Sequence, residues 1–595
     1  MARFRSMMHV NALRLNATAK GAFLISSTTL RTFVYILAFV LAVLLASSIV
    51  AVEPPPDFLS NTLWALSSDE INLERAQFKT QVLHIVPDLV PIDVNCDKIE
   101  RCDKKGVCAI VCKHGSVQMD HWAQKALKLQ RKLAYRRNFC SATLLGSHNS
   151  AINIADGYGV EDHVFEGYLH YFKWFKKGMT IHTNDQLFSL TDQLHMGVRF
   201  IELDVHWFDD DLHIAHCGGF KLKLLDGIIT VFNDIAKILG TDIEWDSETI
   251  GCKPSMSSIP AKEQRPLKDA LNELSMWLHA PENQDEFLIV FFDDETDLMK
   301  WNKVGKLLDY IKEYFAENEI LRPLDLAYNT KWPTFEELLS VGKRVVFMSG
   351  IDYLASGEEI LFVKDTVCNW QEPHLPLSLF PDCHFHESAT KTPGSPDNKL
   401  TIFRPETSEI EYGILNAAGQ FGINQNLLNE KSLPGVINCG INLPSPDNIT
   451  PKRVEATIWV VTKGHELQPQ KCVALLQQSK TWQSVDCNTK NLVAACVDVN
   501  NPRHWQLGSS SVVEADAVVA CAALPFTVME YSVPACGYEN ELLYRLLMMQ
   551  QNGLNSTAGV WLNAKHYVDD VYSTRINESV VHATTLLVSG VTSIE

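Results

Sequence analysis

The chain has 595 residues, 46% of them apolar, and a formal net charge of −19. That length calls for more than one folding unit, although a barrel alone absorbs roughly two hundred residues or more. So acidic a chain is excluded from having nucleic acid as its main partner, because phosphate backbones require a basic surface; a membrane substrate met through a local patch is not excluded.

Residues 1–32 carry Arg3, Arg5, Arg14, Lys20 and Arg31 and no acid. The uncharged run from Phe33 to Val52 is long enough for a helix to cross ~30 Å of hydrocarbon, and Pro54, Pro55 and Pro56 end it. Positive charge stays cytoplasmic, so this pattern predicts a short basic segment (1–32), a signal anchor (33–52) and a lumenal or extracellular remainder. A signal peptide cleaved near Ala46–Ser48 would make the protein secreted, and an Arg-rich, acid-free start also fits an organellar transit peptide. Fifteen cysteines favour an oxidising compartment. Cys96, Cys102, Cys108 and Cys112 read as disulfides rather than zinc ligands, because paired C-x-x-C knuckles are absent. The odd count leaves one thiol without an internal partner, with Cys217 as a candidate. Asn448, Asn555 and Asn577 lie in N-x-S/T triplets and are candidate glycosylation sites.

Residues 53–137 hold the first cysteine group and a basic amphipathic run, "WAQKALKLQRKLAYRR". From 138 to 465 strands and helices alternate. "ATLLGSH" reads as a strand. "NDQLFSLTDQLHMG" reads as a helix with Leu187, Leu190 and Leu194 on one face and Gly197 as its stop. "VRFIELDV", "LHIA" and "EFLIVFFDDE" read as strands, with the helix "PLKDALNELSMWLHA" before the last of them. In "PTFEELLSVGKRVVFMSG" a capping box, Thr334 with Glu337, opens a helix that turns at Gly342 into a strand. "GVINCGIN" and "ATIWVVT" are expected as later strands. Such alternation predicts an α/β fold, a (β/α)8 TIM-type barrel with its site at the C-terminal strand ends. Residues 466–595, with further Cys and Trp residues, form a disulfide-containing C-terminal extension.

Polar residues gather at those strand ends: His148 and Asn149, then Glu202 and Asp204, then His216, then Asp293 and Asp294. Glu202, Asp204 and His206 alternate along one strand and share a face. Carboxylates with an amide oxygen suit a hard ion, Ca2+ or Mg2+, and histidines move protons near neutral pH. Asp209, Asp210 and Asp211 read as a solvated turn, and His195, His206 and His213 as structural hydrogen-bonders.

"LLGSHNS", "LTDQLHMGVRFIELDVHW" and "LHIAHCGG", in that order, resemble the X domain of phosphatidylinositol-specific phospholipase C over roughly residues 138–465. The resemblance implies a phosphoric diester hydrolase with a barrel fold. It makes His148 and His216 the two catalytic histidines, and Asn149, Glu202, Asp204 and Asp293 (Asp294 if the register shifts by one) the calcium ligands. The metal-free branch of that family has Asp-x-Arg where this chain has Glu202-Leu203-Asp204, so the calcium-dependent branch is implied. The implied reaction is attack on phosphorus by a hydroxyl of the lipid's own head group, giving a cyclic inositol phosphate and diacylglycerol. His216 would be the acid; His148 would take the proton or stabilise the phosphate, with Glu202 or Asp293 as alternative bases. Substrate-binding residues are not assigned, and Met348 and Gly350 stand where lysines hold extra ring phosphates in the signalling enzymes. The partner is a membrane phospholipid or glycolipid; oligomeric state is left open. "YLHYFKWFKKGM" suits a membrane interface or a buried helix.

Two other readings remain open. "FIELDVHW" with the later "AH" also resembles glycerophosphodiesterases and sphingomyelinase D. The tail, with its C…W…C…C order, resembles half of a C-type lectin-like domain, which fits a non-catalytic, membrane-tethered glycan- or lipid-binding protein.

Overall fold

The structure is a computed structural model that describes residues 86–102, 108–159, 184–215, 259, 263–293, 298–327, 332–357, 359–372, 378–383, 401–406, 428–525, 527–550 and 558–573. They all belong to one compact unit, Val86–Glu595. The expected anchor, Phe33–Val52, lies outside the described residues, and among those described no helix is long and apolar enough to cross a membrane.

The first cysteine group forms a stapled hairpin. Strands β1 (Lys98–Cys102) and β2 (Cys108–Cys112) pair antiparallel, with Cys102–Cys108 and Cys96–Cys112 bridged. Helix α1 (His121–Tyr135) follows, and its Trp122, Ala126, Leu129 and Leu133, spaced by three or four residues, are buried on one face.

The central layer is a mainly parallel sheet. It runs through β3 (Gly146–Ser147), β4 (Phe200–Phe208), β6 (Leu288–Asp293), β8 (Val345–Ser349) and β7 (Ile320–Leu321), with β9 (Leu361–Val363) also on β8. Helices α2 (Leu190–Met196), α3 (Leu267–His279), α4 (Val304–Tyr314) and α5 (Phe335–Ser340) connect these strands. Local signals set their ends. Ser189 caps α2 and Gly197 stops it at φ 113°, while both halves of the Thr334–Glu337 capping box form on α5. Alternation sorts the strands' two faces. Ile201, Leu203, Val290 and Phe347 pack under the helices; Phe200, Ile289, Phe291, Val346 and Met348 point inward with Trp370 and Ile402.

Several expectations are corrected. The strands do not close into a barrel among the described residues; the result is a mixed α/β architecture around an open, mainly parallel sheet. Irregular segments extend it beyond β3: Gly146 donates to Pro444 O (2.9 Å), Leu443 to Phe403 O (3.0 Å) and Arg404 to Gln371 O (3.0 Å). "LHIA" falls in β5 (Asp211–Ile214), which folds back antiparallel on β4 as a hairpin instead of adding a parallel strand. "GVINCGIN" contributes to helix α6 (Leu433–Asn438), where Pro434 sits in the first turn and Leu433, Val436 and Ile437 bury at helical spacing. "ATIWVVT" follows helix α7 (Pro451–Glu455) as irregular chain; Gln130 of α1 accepts from the backbone N–H of Trp459 (2.7 Å), which withdraws that group from any ladder.

The C-terminal layer has its own sheet. Its order is β11 (Trp482–Val485), β10 (Cys472–Leu476), β15 (Gly559–Leu562), β12 (Leu492–Asp498) and β13 (Asn501–Leu507), with β14 (Met529–Tyr531) on β12. Helices α8 (Ala517–Ala522), α9 (Gly537–Gln550) and α10 (Lys565–Ser573) complete it, and Cys472–Cys487 and Cys496–Cys521 staple it. Among the described residues the free thiol is Cys536; Cys217 lies outside them.

Helix α1 joins the two layers. Its apolar face shares one core with Val473, Val493, Leu543, Val560 and Val568, while its polar edge binds the central sheet through Glu286. The buried Glu286 carboxylate accepts from Arg131 (2.6 and 2.7 Å), Arg199 (2.9 Å) and Tyr135 (3.1 Å). Burial would raise its pKa, but Arg131 and Arg199 outweigh that and hold it far below the usual carboxylate range. This stabilisation is therefore present above the unfolded carboxylate pKa and fades as pH falls through the folded one. Glu286→Ala strands the buried Arg199 and the partly buried Arg131 and should cost about 3–5 kcal/mol in denaturant unfolding followed by tryptophan fluorescence. A loss under ~1 kcal/mol would remove Glu286 as the joint between the layers.

Candidate active site

The site lies at the C-terminal ends of β3, β4 and β6, above the inward layer of Phe200, Phe291 and Met348. Glu202 and Asp204 stand on the inward face of β4, as alternation requires, and Asp204 lies in register with Asp293 of β6. Each of these three carboxylates offers an oxygen, and the three oxygens lie within 4.8 Å of one another. Asn149, just past β3, adopts φ 43°, a left-handed conformation that asparagine tolerates. That turn aims its backbone N–H at Glu202 Oε2 (3.2 Å), while its side-chain amide donates to Asp185 Oδ2 (2.9 Å), leaving the amide oxygen as its donor atom for a cation.

Asp204 Oδ1 and Glu202 Oε1 are buried with no hydrogen-bond partner. Buried carboxylate oxygens in that condition are costly. Burial pushes the Asp204 pKa well up, reinforced by Asp293 and Glu202; burial also raises Glu202, to about 7, against the pull of Arg404 and His148. Three clustered hard oxygen donors with two unanswered atoms fit a divalent cation, with Asn149 alongside. Among the sequence-derived ligands, then, Asn149, Glu202, Asp204 and Asp293 are brought together. His216 and Asp294 lie outside the described residues.

His148 is buried, and its Nδ1 meets Asp447 Oδ1 at 2.6 Å. Gln186 ties the two chain segments by donating to His148 O (2.6 Å) and Pro446 O (3.1 Å). Burial would depress the His148 pKa, but Asp447 overcomes it and raises the value well above the ordinary one. The bond to Asp447 fixes Nδ1 as the protonated nitrogen and leaves Nε2 as the working atom. His206, His213 and His195 are not drawn into the cluster; His213 Nδ1 bonds Gln264 O (2.9 Å) and its ring stacks on Phe208. Asn448, one candidate glycosylation site, is half-buried directly after Asp447, and Asn555 and Asn577 lie outside the described residues.

The sequence reading missed two residues. Asp447 sits in "LPSPDN", and the only local signal was an acid ending an apolar segment. Arg404, in "LTIFRPE", is a lone charge in an apolar run, which is the mark of a buried ion pair. Its guanidinium is buried against Phe200 and Phe291 (5.2 and 5.4 Å to the ring centres) and pairs with Glu202, with Glu406 (2.7 Å) and with Glu372 (3.4 Å). Glu202-Leu203-Asp204 keeps carboxylates where the metal-free branch has Asp-x-Arg, and Arg404 is a separate arginine brought in by irregular chain. It does not make the site cationic. Asp185, Glu202, Asp204, Asp293, Glu372, Glu406 and Asp447 outnumber Arg404, Lys364 and a protonated His148.

No protein-family model matches the chain. Two uncharacterised proteins of Mycobacterium tuberculosis, from strains CDC 1551 and H37Rv, are each 20% identical over 433 residues, covering 72% of this chain and 77% of their own. Among solved structures, a calcium-dependent phosphoinositol-specific phospholipase C from a Pseudomonas species is 13% identical, with a TM-score of 0.25, covering 54% of this chain and 96% of that one. PLC21 of L. pealei is 11% identical, with a TM-score of 0.24, covering 61% and 43% respectively.

Two expected outcomes follow from its electrostatics. Asp204→Asn removes a buried carboxyl whose raised pKa costs stability at neutral pH, so the melting temperature of chelator-treated protein should rise while the upward shift produced by calcium disappears; an unchanged calcium shift would take Asp204 out of the ligand set. In calcium-free protein, Asp447→Asn should lower the His148 pKa seen by NMR. His148's pairing stabilises the fold fully below the unfolded histidine pKa, and that contribution is lost as pH rises through the folded value. The variant should therefore lose stability at neutral pH and least of all at high pH.

Proposed function

We propose that the protein is a phosphoric diester hydrolase that cleaves phosphatidylinositol-type lipids to a cyclic inositol phosphate and diacylglycerol. The observation that carries this reading is the buried His148–Asp447 pair beside the Glu202, Asp204 and Asp293 oxygens. A histidine held in one tautomer can hydrogen-bond or transfer a proton, but an acidic cluster repels a phosphodiester unless a cation answers it. Asn149, Glu202, Asp204 and Asp293 would hold that ion, Ca2+ or Mg2+, which when bound offsets phosphate charge and acidifies the attacking hydroxyl.

The chain's own residues then divide the work. His148 Nε2, protonated at neutral pH by virtue of Asp447, donates to a non-bridging phosphate oxygen. The head-group hydroxyl next to the ester attacks phosphorus as the bond to the glycerol oxygen breaks. His216, placed by the sequence resemblance, gives that oxygen its proton. Glu202 or Asp293 takes the proton of the attacking hydroxyl. The apolar floor of Phe200, Phe291 and Met348 keeps water from beneath the site. Met348, with no charge to offer, favours a ring without extra phosphates. The bridged cysteines support folding in an oxidising compartment, consistent with a protein anchored in or secreted across a membrane.

Phosphorus NMR of the reaction on phosphatidylinositol tests this directly. Inositol 1,2-cyclic phosphate should appear before any open monophosphate, because the neighbouring hydroxyl is already beside phosphorus. His148→Ala should reduce the rate on the order of 10²–10⁴-fold. Phosphatidic acid, or a cyclic phosphate derived from glycerol or ceramide, would move the assignment to the glycerophosphodiesterase or sphingomyelinase D type of reaction. No turnover of any phosphodiester with the described fold intact would favour the binding-protein reading.

A further inference from the structure

We propose that Arg404 is a built-in competitor for the divalent cation: it occupies one oxygen of Glu202 and so sets how tightly the site holds its ion. The inference rests on the cation site of the proposed function. Glu202 has two oxygens with opposite fates. Oε2 accepts from the Arg404 guanidinium and from the Asn149 N–H, whereas Oε1 is buried with no hydrogen-bond partner. Arg404 thus presents Glu202 to the ion through one atom only, and places a permanent positive charge one carboxylate away from it.

The arginine is held in that position. Its planar group lies over Phe200 and Phe291, its backbone N–H is tied to Gln371 O (3.0 Å), and Nη1 is shared with Glu406 (2.7 Å) and Glu372 (3.4 Å). Glu372 is itself shared with Lys364 (2.7 Å). Since a guanidinium never deprotonates in water's pH range, its charge cannot leave when the ion arrives. Glu406, whose carboxylate lies within 4.8 Å of the Glu202 and His148 donor atoms, shares the guanidinium with Glu202. Arg404 is a positioning residue in this account, touching neither ion nor substrate.

Calcium binding by the purified, calcium-stripped protein, measured by titration calorimetry, tests the proposal without reference to activity. Arg404→Met should bind calcium on the order of tenfold more tightly, because a like charge near the ion is gone. Arg404→Lys, which keeps the charge, should stay within about threefold of the wild type. Arg404→Gln, which drops the charge but keeps a hydrogen-bonding group, should also bind more tightly, and it keeps the question open to test if Arg404→Met fails to fold. A purely structural Arg404 would leave calcium affinity unchanged or weakened in Arg404→Met and Arg404→Gln, whichever folds, and that result overturns the proposal. If the wild type binds calcium and the variants do not shift, only this inference fails; if the wild type binds none, the cation of the proposed function fails with it.

Discussion

Placing carboxylates inside a parallel sheet is the constraint from which the rest of the site follows. Glu202 and Asp204 are fully or almost fully buried on the inward face of β4, with Asp293 beside them on β6. An interior of low polarity penalises each charge, so the chain must either answer them or leave them protonated. It answers Glu202 from within, through Arg404, and leaves Asp204 to be answered from outside. That asymmetry separates a structural ion pair from a binding site within a few ångströms, using residues of the same type. His148 repeats the solution with the signs exchanged, a buried cation answered by Asp447.

Much of this was legible in the sequence where local rules apply. Strand periodicity put Glu202 and Asp204 on one face, and the Ser189, Gly197 and Thr334–Glu337 signals marked helix ends that the structure has. Local rules failed where partners are distant. Arg404 reaches Glu202 across about two hundred residues, and Asp447 reaches His148 across about three hundred, along segments too irregular to show a period. "GVINCGIN" misled for a related reason: its apolar residues fit alternation about as well as they fit helical spacing, and Pro434 at a helix start decided the matter. The open sheet in place of a closed barrel reflects the same irregularity, because segments such as 401–406 and 441–447 bond as extended chain without forming full ladders.

The expected border between an N-terminal segment and the sheet-bearing region also has a different physical meaning once α1 is seen. Trp122, Ala126, Leu129 and Leu133 belong to the core of the C-terminal layer, while Arg131 and Tyr135 on the neighbouring edge of the same helix hold Glu286. A cut at residue 138 would separate α1 from both attachments, and a cut at residue 466 would separate it from the C-terminal core. The cores follow space and not sequence order.

Helix α1 also carries a schedule. It is translated well before the strands and helices that cover its apolar face, from β10 to α10. At synthesis rates of roughly 5–20 residues per second, that face stays uncovered for tens of seconds. During that interval a Trp- and Leu-lined stripe on a basic helix is open to any apolar surface nearby, so the nascent chain must be shielded until its own far end arrives.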